Sequence, residues 1–196
     1  FNTKLIGKKV GDILGVNYNK SNKFLKLFNQ LNNVEGEDVD IFYTYDDNKY
    51  QQDISVGAIG SVTAQLNSSN KVSLRSIVNV NTSNAIIQRI GQNFDRQDSI
   101  KGSEFTYRQN TFFTVQASGE HSIAKPVKLK WYGAFNILDG FVPDQRRLTY
   151  SKDIDNPTAP YRAILSNVLS QQSGSRIYQE LRDYIYTAGR DLTYNF

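Results

Sequence analysis

A few groups in this chain have the types and spacing that chemistry requires. His121, the single histidine, stands beside Glu120, and an imidazole next to a carboxylate is the start of a general-base pair. Asp38, Asp40, Asp46 and Asp47 crowd carboxylates into one polar stretch, and hard cations take oxygen ligands. Gly57-Ala58-Ile59-Gly60-Ser61 has the outline of a glycine-rich phosphate loop. Arg146–Arg147 is a local basic pair, of the residue type that a nucleic-acid partner would need. Each has a plainer explanation in its surroundings. The glycine pair lies inside an alternating strand pattern, where small residues ease curvature or close packing. Glu120–His121 abuts a short turn and reads as a polar turn end. The aspartates read as a solvated loop, and the arginine pair as another. No catalytic constellation, metal site or cofactor site is expected, and the chain is not read as an enzyme.

Composition narrows the possibilities further. With no Cys among 196 residues, neither a disulfide framework nor a thiolate metal site can form. One His excludes a multi-histidine metal cluster. The net charge of +4 is spread along the chain without a dense basic block, so nucleic acid is not an expected partner. No stretch approaches the roughly 20 apolar residues of a membrane helix. A barrel is untouched by that test, because half of each of its strands is polar.

The elements that would have to position any site are strands. From 105 to 121, Phe105, Tyr107, Phe113, Val115 and Ala117 share one parity, while Thr106, Arg108, Asn110, Thr114, Gln116, Ser118 and Glu120 share the other. A period of two sends successive side chains to opposite faces. The same alternation predicts seven strands: 2–8, 13–28, 50–67, 71–90, 105–121, one from 127 through 137, and 175–196. Residues 41–45 are a possible extension of the third, and a short helix is possible near 161–170. Short connections at 9–12, 67–70 and 123–126 alternate with long ones at 29–48, 91–102 and 139–173. Outer-membrane barrels have short periplasmic turns and longer extracellular loops.

Aromatic residues gather at the strand ends. Trp131, Tyr194 and Phe196 sit toward the short turns, and Tyr45, Tyr50, Phe105 and Tyr107 toward the long loops. Amphipathic rings at both ends suit the two headgroup levels of a bilayer. On the polar parity, Arg75, Asn79, Asn81, Arg108, Asn110, Gln116, Asn136 and Asp191 are the candidates for lining a lumen. The fold class expected is therefore all-β: an antiparallel transmembrane β-barrel segment of about seven long strands. The alternative is a soluble sandwich or lipocalin-like binding module, which would bury the apolar parity in its own core. Strands this long speak against it, since about 5–6 residues is usual.

Four segments carry a family resemblance: YQQDISVGAIGSVTAQLNSSNKVSLRSIVNVNT (50–82), FTYRQNTFFTVQASGEHSI (105–123), VKLKWYGAFNILDGFVPDQRRLTYSKD (127–153) and GRDLTYNF (189–196). Pro143-Asp144-Gln145-Arg146-Arg147-Leu148, after a strand holding Trp131-Tyr132-Gly133, is the most particular. The chain resembles the large TonB-dependent receptors of the Bacteroidetes outer membrane, whose barrel has 22 strands. The resemblance implies residence in the outer membrane of a Gram-negative bacterium and energised uptake of a scarce nutrient. It also implies contact with outer-membrane lipid, a plug that engages the TonB complex, a possible surface lipoprotein, and a small-molecule, glycan or peptide substrate. The plug and the TonB-contacting segment have no counterpart here. Seven strands cannot close such a barrel, so residues 1–196 are expected to be part of a barrel domain. Leu192-x-Tyr194-x-Phe196 resembles the terminal aromatic signal of outer-membrane proteins, but internal strands of the family end similarly, and a partial chain is the expectation.

Overall fold

In the computed structural model, residues 2–5, 8–35, 38–165 and 173–194 are described. They form one antiparallel sheet, with seven strands and an eighth of three residues: β1 (Asn2–Leu5), β2 (Lys8–Glu35), β3 (Asp38–Asn67), β4 (Asn70–Asn93), β5 (Asp98–Ala124), β6 (Val127–Asp153), β7 (Arg162–Ile164) and β8 (Ser175–Tyr194). Each strand from β1 to β6 pairs with the next, and β7 and β8 share the far edge of β6. This is a meander, the simplest result of alternating sequences joined by tight turns. The turn between β3 and β4 shows the local cause: Asn67 Oδ1 accepts from the Ser69 amide at 2.9 Å and from Asn70 Nδ2 at 2.8 Å, fixing a two-residue reversal.

The strands extend well past the sequence expectation. Instead of a loop over 29–48, β2 and β3 pair until only 36–37 separate them. The loop expected over 91–102 shrinks to 94–97, and β6 runs on to Asp153, well into the segment expected to be irregular. The possible extension at 41–45 is strand, and β3 begins earlier still, at Asp38. Elsewhere, as over 29–33 and 146–153, polar residues occupy both parities, and composition reads as loop while backbone pairing continues. A bulge at Phe42 breaks the β2–β3 register and leaves its carbonyl to accept from the Phe94 amide at 2.8 Å, which seats the β4–β5 turn. In β6 the register shifts near 142–145 and Pro143 sits within that shift, where a missing donor is tolerated. The possible helix at 161–170 is not found where it can be seen: 162–164 are strand, and 166–170 lie outside the described residues.

The connections still differ by end, though less than their lengths in sequence suggested. The reversals 68–69 and 125–126 lie at one end. At the other, the β2–β3 hairpin projects beyond the Tyr43–Asn93 pair that closes the β3–β4 ladder, and residues 154–174 form the longest connection. Its neck is pinned by Ser173, whose Oγ donates to the Ile164 carbonyl at 2.7 Å and accepts from the Thr149 amide at 3.2 Å.

The sheet has no second layer among the described residues. Among them, only Tyr45, Ile100 and Val142 are buried apolar side chains. Accessible surface is 14036 Å², whereas a compact monomer of this mass exposes about 9,400 Å². A soluble sandwich would have closed that gap by stacking a sheet on the apolar face.

Candidate functional site

Cross-strand partners share a face, so the register assigns every side chain to one side of the sheet. One row runs Val16, Ala58, Val78, Phe113, Ile137 and Tyr184. The next runs Leu14, Gly60, Ser76, Val115, Phe135 and Tyr186, and a third holds Val62, Leu74, Ala117, Gly133 and Ala188. These rows make a continuous apolar face. Leu14 is 80% exposed, Tyr186 78% and Val62 50%, with no protein against them. On β3 the stripe lasts from Ile54 to Leu66, about 40 Å of strand. At a tilt near 45° that is roughly 28 Å of height, the scale of the ~25 Å apolar band of an outer-membrane barrel.

Rings bound the band. At the projecting end Phe24 and Tyr50 lie 4.9 Å apart on the apolar face, in the row that continues through Ile86 to Phe105. Tyr107 is on the same face one row below. At the other end are Trp131 and Tyr194; Phe196 lies outside the described residues. Trp131 lies over Gly119 on the neighbouring strand, in space a Cβ would occupy. Its indole N–H donates to His121 Nε2 at 2.9 Å, and His121 Nδ1 meets Asn70 Oδ1 at 2.7 Å. His121 and Glu120 therefore point to opposite faces, and no dyad exists.

Tyr45 belongs elsewhere. It is on the polar face, stacked 4.3 Å from Tyr43 with Arg89 4.8 Å from its ring centre on the guanidinium side. Arg89 also grips Asp47 through two bonds of 2.7 Å, Asn29 Nδ2 donates to the same carboxylate at 2.9 Å, and Asn93 Nδ2 donates to the Tyr45 hydroxyl at 3.2 Å. Burial pushes the Tyr45 phenol up, and the Asp47 carboxylate raises the Arg89 guanidinium. The aspartates 38, 40, 46 and 47 are thus strand residues: Asp47 holds β2, β3 and β4 together, and no group able to hold a metal occurs among the described residues. A second clamp, Glu104 with Arg147 at 2.6 Å and Gln145 at 2.8 Å, joins β5 to β6 on the same face. Sequence reading missed both, since each depends on register between residues some 40 positions apart.

All eight residues proposed for a lumen fall on the polar face. Asn81 is flanked by Ser55 and Asn110, and Arg75 faces Gln116 across the β4–β5 ladder. Asn136 Nδ2 donates to the Ile185 carbonyl at 3.2 Å. Asp191 ends a row that alternates in sign: Lys71, Glu120, Lys130, Asp191. Asn79 and Asn17 flank Gly57, where a Cβ would collide with the Asn17 carboxamide, and the Asn79 Oδ1 is buried without a partner. That explains Gly57 as room for side chains, whereas Gly60 faces open space; both lie within β3 and form no phosphate loop. Asn19, Asp53, Asn81, Arg108 and Asn110 line a groove of about 320 Å³. Asp53 is held by Gln51, Lys23 and Ser83, whereas neither Arg75 nor Arg108 has an ion-pair partner among the described residues.

No protein-family model and no curated protein matches this chain.

The two faces differ in what they can do. The apolar one can only be covered, by lipid or by protein. The polar one offers amides, hydroxyls and the guanidiniums of Arg75 and Arg108 to water or to a polar solute.

Proposed function

We propose that this chain is part of the wall of an outer-membrane TonB-dependent receptor that takes up a nutrient across the outer membrane of a Gram-negative bacterium. The observation that carries the membrane reading is the bare apolar face, of bilayer height and with aromatic rings toward both ends, on a sheet with no second layer among the described residues. Uptake driven through TonB rests on the sequence resemblance. In this reading the apolar face meets outer-membrane lipid and the polar face lines the lumen, where plug and substrate pass. The short reversals are periplasmic, and the long hairpin and residues 154–174 are extracellular. TonB would act on the plug, and a surface lipoprotein is a further possible partner. No covalent chemistry is involved.

The free edges fit the same account. Among the described residues, β1 pairs with β2 only as far as Gly11, and no strand pairs with the outer side of β8. Open edges are not viable in hydrocarbon, so further strands must complete the wall. The apolar face also carries charges: Asp12 and Lys20 on β2, Asp139 on β6, and Arg182 and Arg190 on β8, with Arg182 3.5 Å from Asp139. Arg182 is paired with Asp139 and Glu180, Lys20 and Arg190 have stems that can bend toward an interface, and Asp12 is not free of partners.

Membrane fractionation of the full-length native protein, with gel mobility before and after heating, tests the proposal. Recovery in the outer membrane with heat-modifiable migration is expected. A monodisperse protein stable without detergent would contradict it. Loss of nutrient uptake when TonB is deleted is the expected result for the transport role.

A further inference from the structure

Just past the apolar band, toward the extracellular end, the apolar face turns cationic. Arg146 and Arg176 are direct cross-strand neighbours in the row of Phe105. Arg146 lies 5.9 Å from the Phe105 ring centre, and Arg176 lies 6.0 Å from that of Tyr178. Four residues further along β5, about 13 Å, Lys101 lies 4.2 Å from the Tyr161 ring centre, with Lys152 at 5.2 Å from the same ring. One carboxylate answers these four cations: Asp144, at 3.0 Å from Arg146 and 2.7 Å from Arg176, holds the two guanidiniums side by side. Lys152 donates to the Pro157 carbonyl at 2.9 Å, and no carboxylate pairs with Lys101 among the described residues.

From this arrangement we infer that the outward surface of β5, β6 and β8 binds the phosphate groups of an anionic lipid of the outer leaflet. The inference rests on the membrane reading above. Its position selects lipid over a free anion: the cations continue an apolar surface that acyl chains would cover, at the level where headgroups begin. Arginine held in place by a ring and a carboxylate can fork onto a phosphate. The lysines add point charges on stems that can lie along apolar surface. After Asp144 is counted, a net +3 remains.

The test uses the full-length protein in nanodiscs of zwitterionic phospholipid doped with a phosphorylated glycolipid. Lipid retained after extraction and repurification is counted by mass spectrometry. Two variants remove cations without stranding a charge: K101Q/K152Q and R146Q/R176Q/D144N. Retention is expected to fall about 25-fold in the first, at roughly a factor of five for each of its two cations. It should also fall in the second, and be as low for wild type when the glycolipid is dephosphorylated. The polar-face variant R75Q/R108Q should retain as much as wild type. Equal retention by all proteins, or equal retention of both glycolipids, would overturn the inference while heat-modifiable migration left the barrel standing. A wild-type protein without that migration would overturn both.

Discussion

Val115 and Thr114 are adjacent on β5 and point to opposite faces, so the same new charge at each isolates what lies against those faces. Val115 shares its row with Ser76 and Phe135, at the level of Gly60, midway along the Ile54–Leu66 stripe. From there either end of the stripe is six residues away, about 20 Å of strand and roughly 14 Å of depth at 45°. An arginine side chain reaches about 7 Å, so it cannot bring its charge to either interface. Val115→Arg should therefore cost about 2–4 kcal/mol, the mid-plane value for a lipid-facing cation. Thr114→Arg, beside Ile77 and Asn136 on the polar face, should cost within about 0.5 kcal/mol. The assay is urea unfolding of the full-length protein refolded into vesicles, comparing midpoints at constant slope. Equal costs would refute the assignment of the two faces. A large cost for Thr114→Arg alone would reverse it.

Three further outcomes follow from particular contacts. Arg89→Ala strands the nearly buried Asp47 carboxylate and should destabilise the upper β2–β4 region by about 1–3 kcal/mol, whereas R89Q/D47N should cost less; amide exchange in β2 and β3 reads both. Gly119→Val fills the space under Trp131 and should expel the only tryptophan, breaking its bond to His121 and shifting its emission, while Gly189→Val, under Tyr132, should leave that emission unchanged. Bonding to Arg176 holds the Asp144 carboxyl below the usual carboxylate range. Its contribution is then full above the ordinary aspartate value near 3.9 and is lost as pH falls through the lowered one. Acid titration of stability should show a step in wild type that is missing in D144N.

Much of the sheet was legible because parity is a local property. Ile54, Val56 and Ala58 separate from Ser55 and Gly57 by counting, and the structure keeps every lumen candidate on one face. Strand length was less legible, because past the apolar stripe alternation weakens while pairing continues. The bulge near Pro143 compounds this by switching the parity of β6, which disguises 146–153 as loop. Tyr45 and Tyr50 look equivalent in a list of aromatics, yet five residues of separation put them on opposite faces. The Asp47–Arg89 clamp was beyond reach, since nothing local fixes the β3–β4 register that brings the two together.

The alternation itself can be measured directly, because the chain has no native cysteine. Single cysteines from 110 to 117 in the full-length protein, spin-labelled in vesicles, report collision with oxygen, which concentrates in lipid, and with a water-soluble nickel chelate. Oxygen should dominate at 113, 115 and 117, and the chelate at 110, 114 and 116, with a period of two. If positions 113, 115 and 117 were shielded from both reagents, that face would be packed against protein, and the membrane wall would be contradicted.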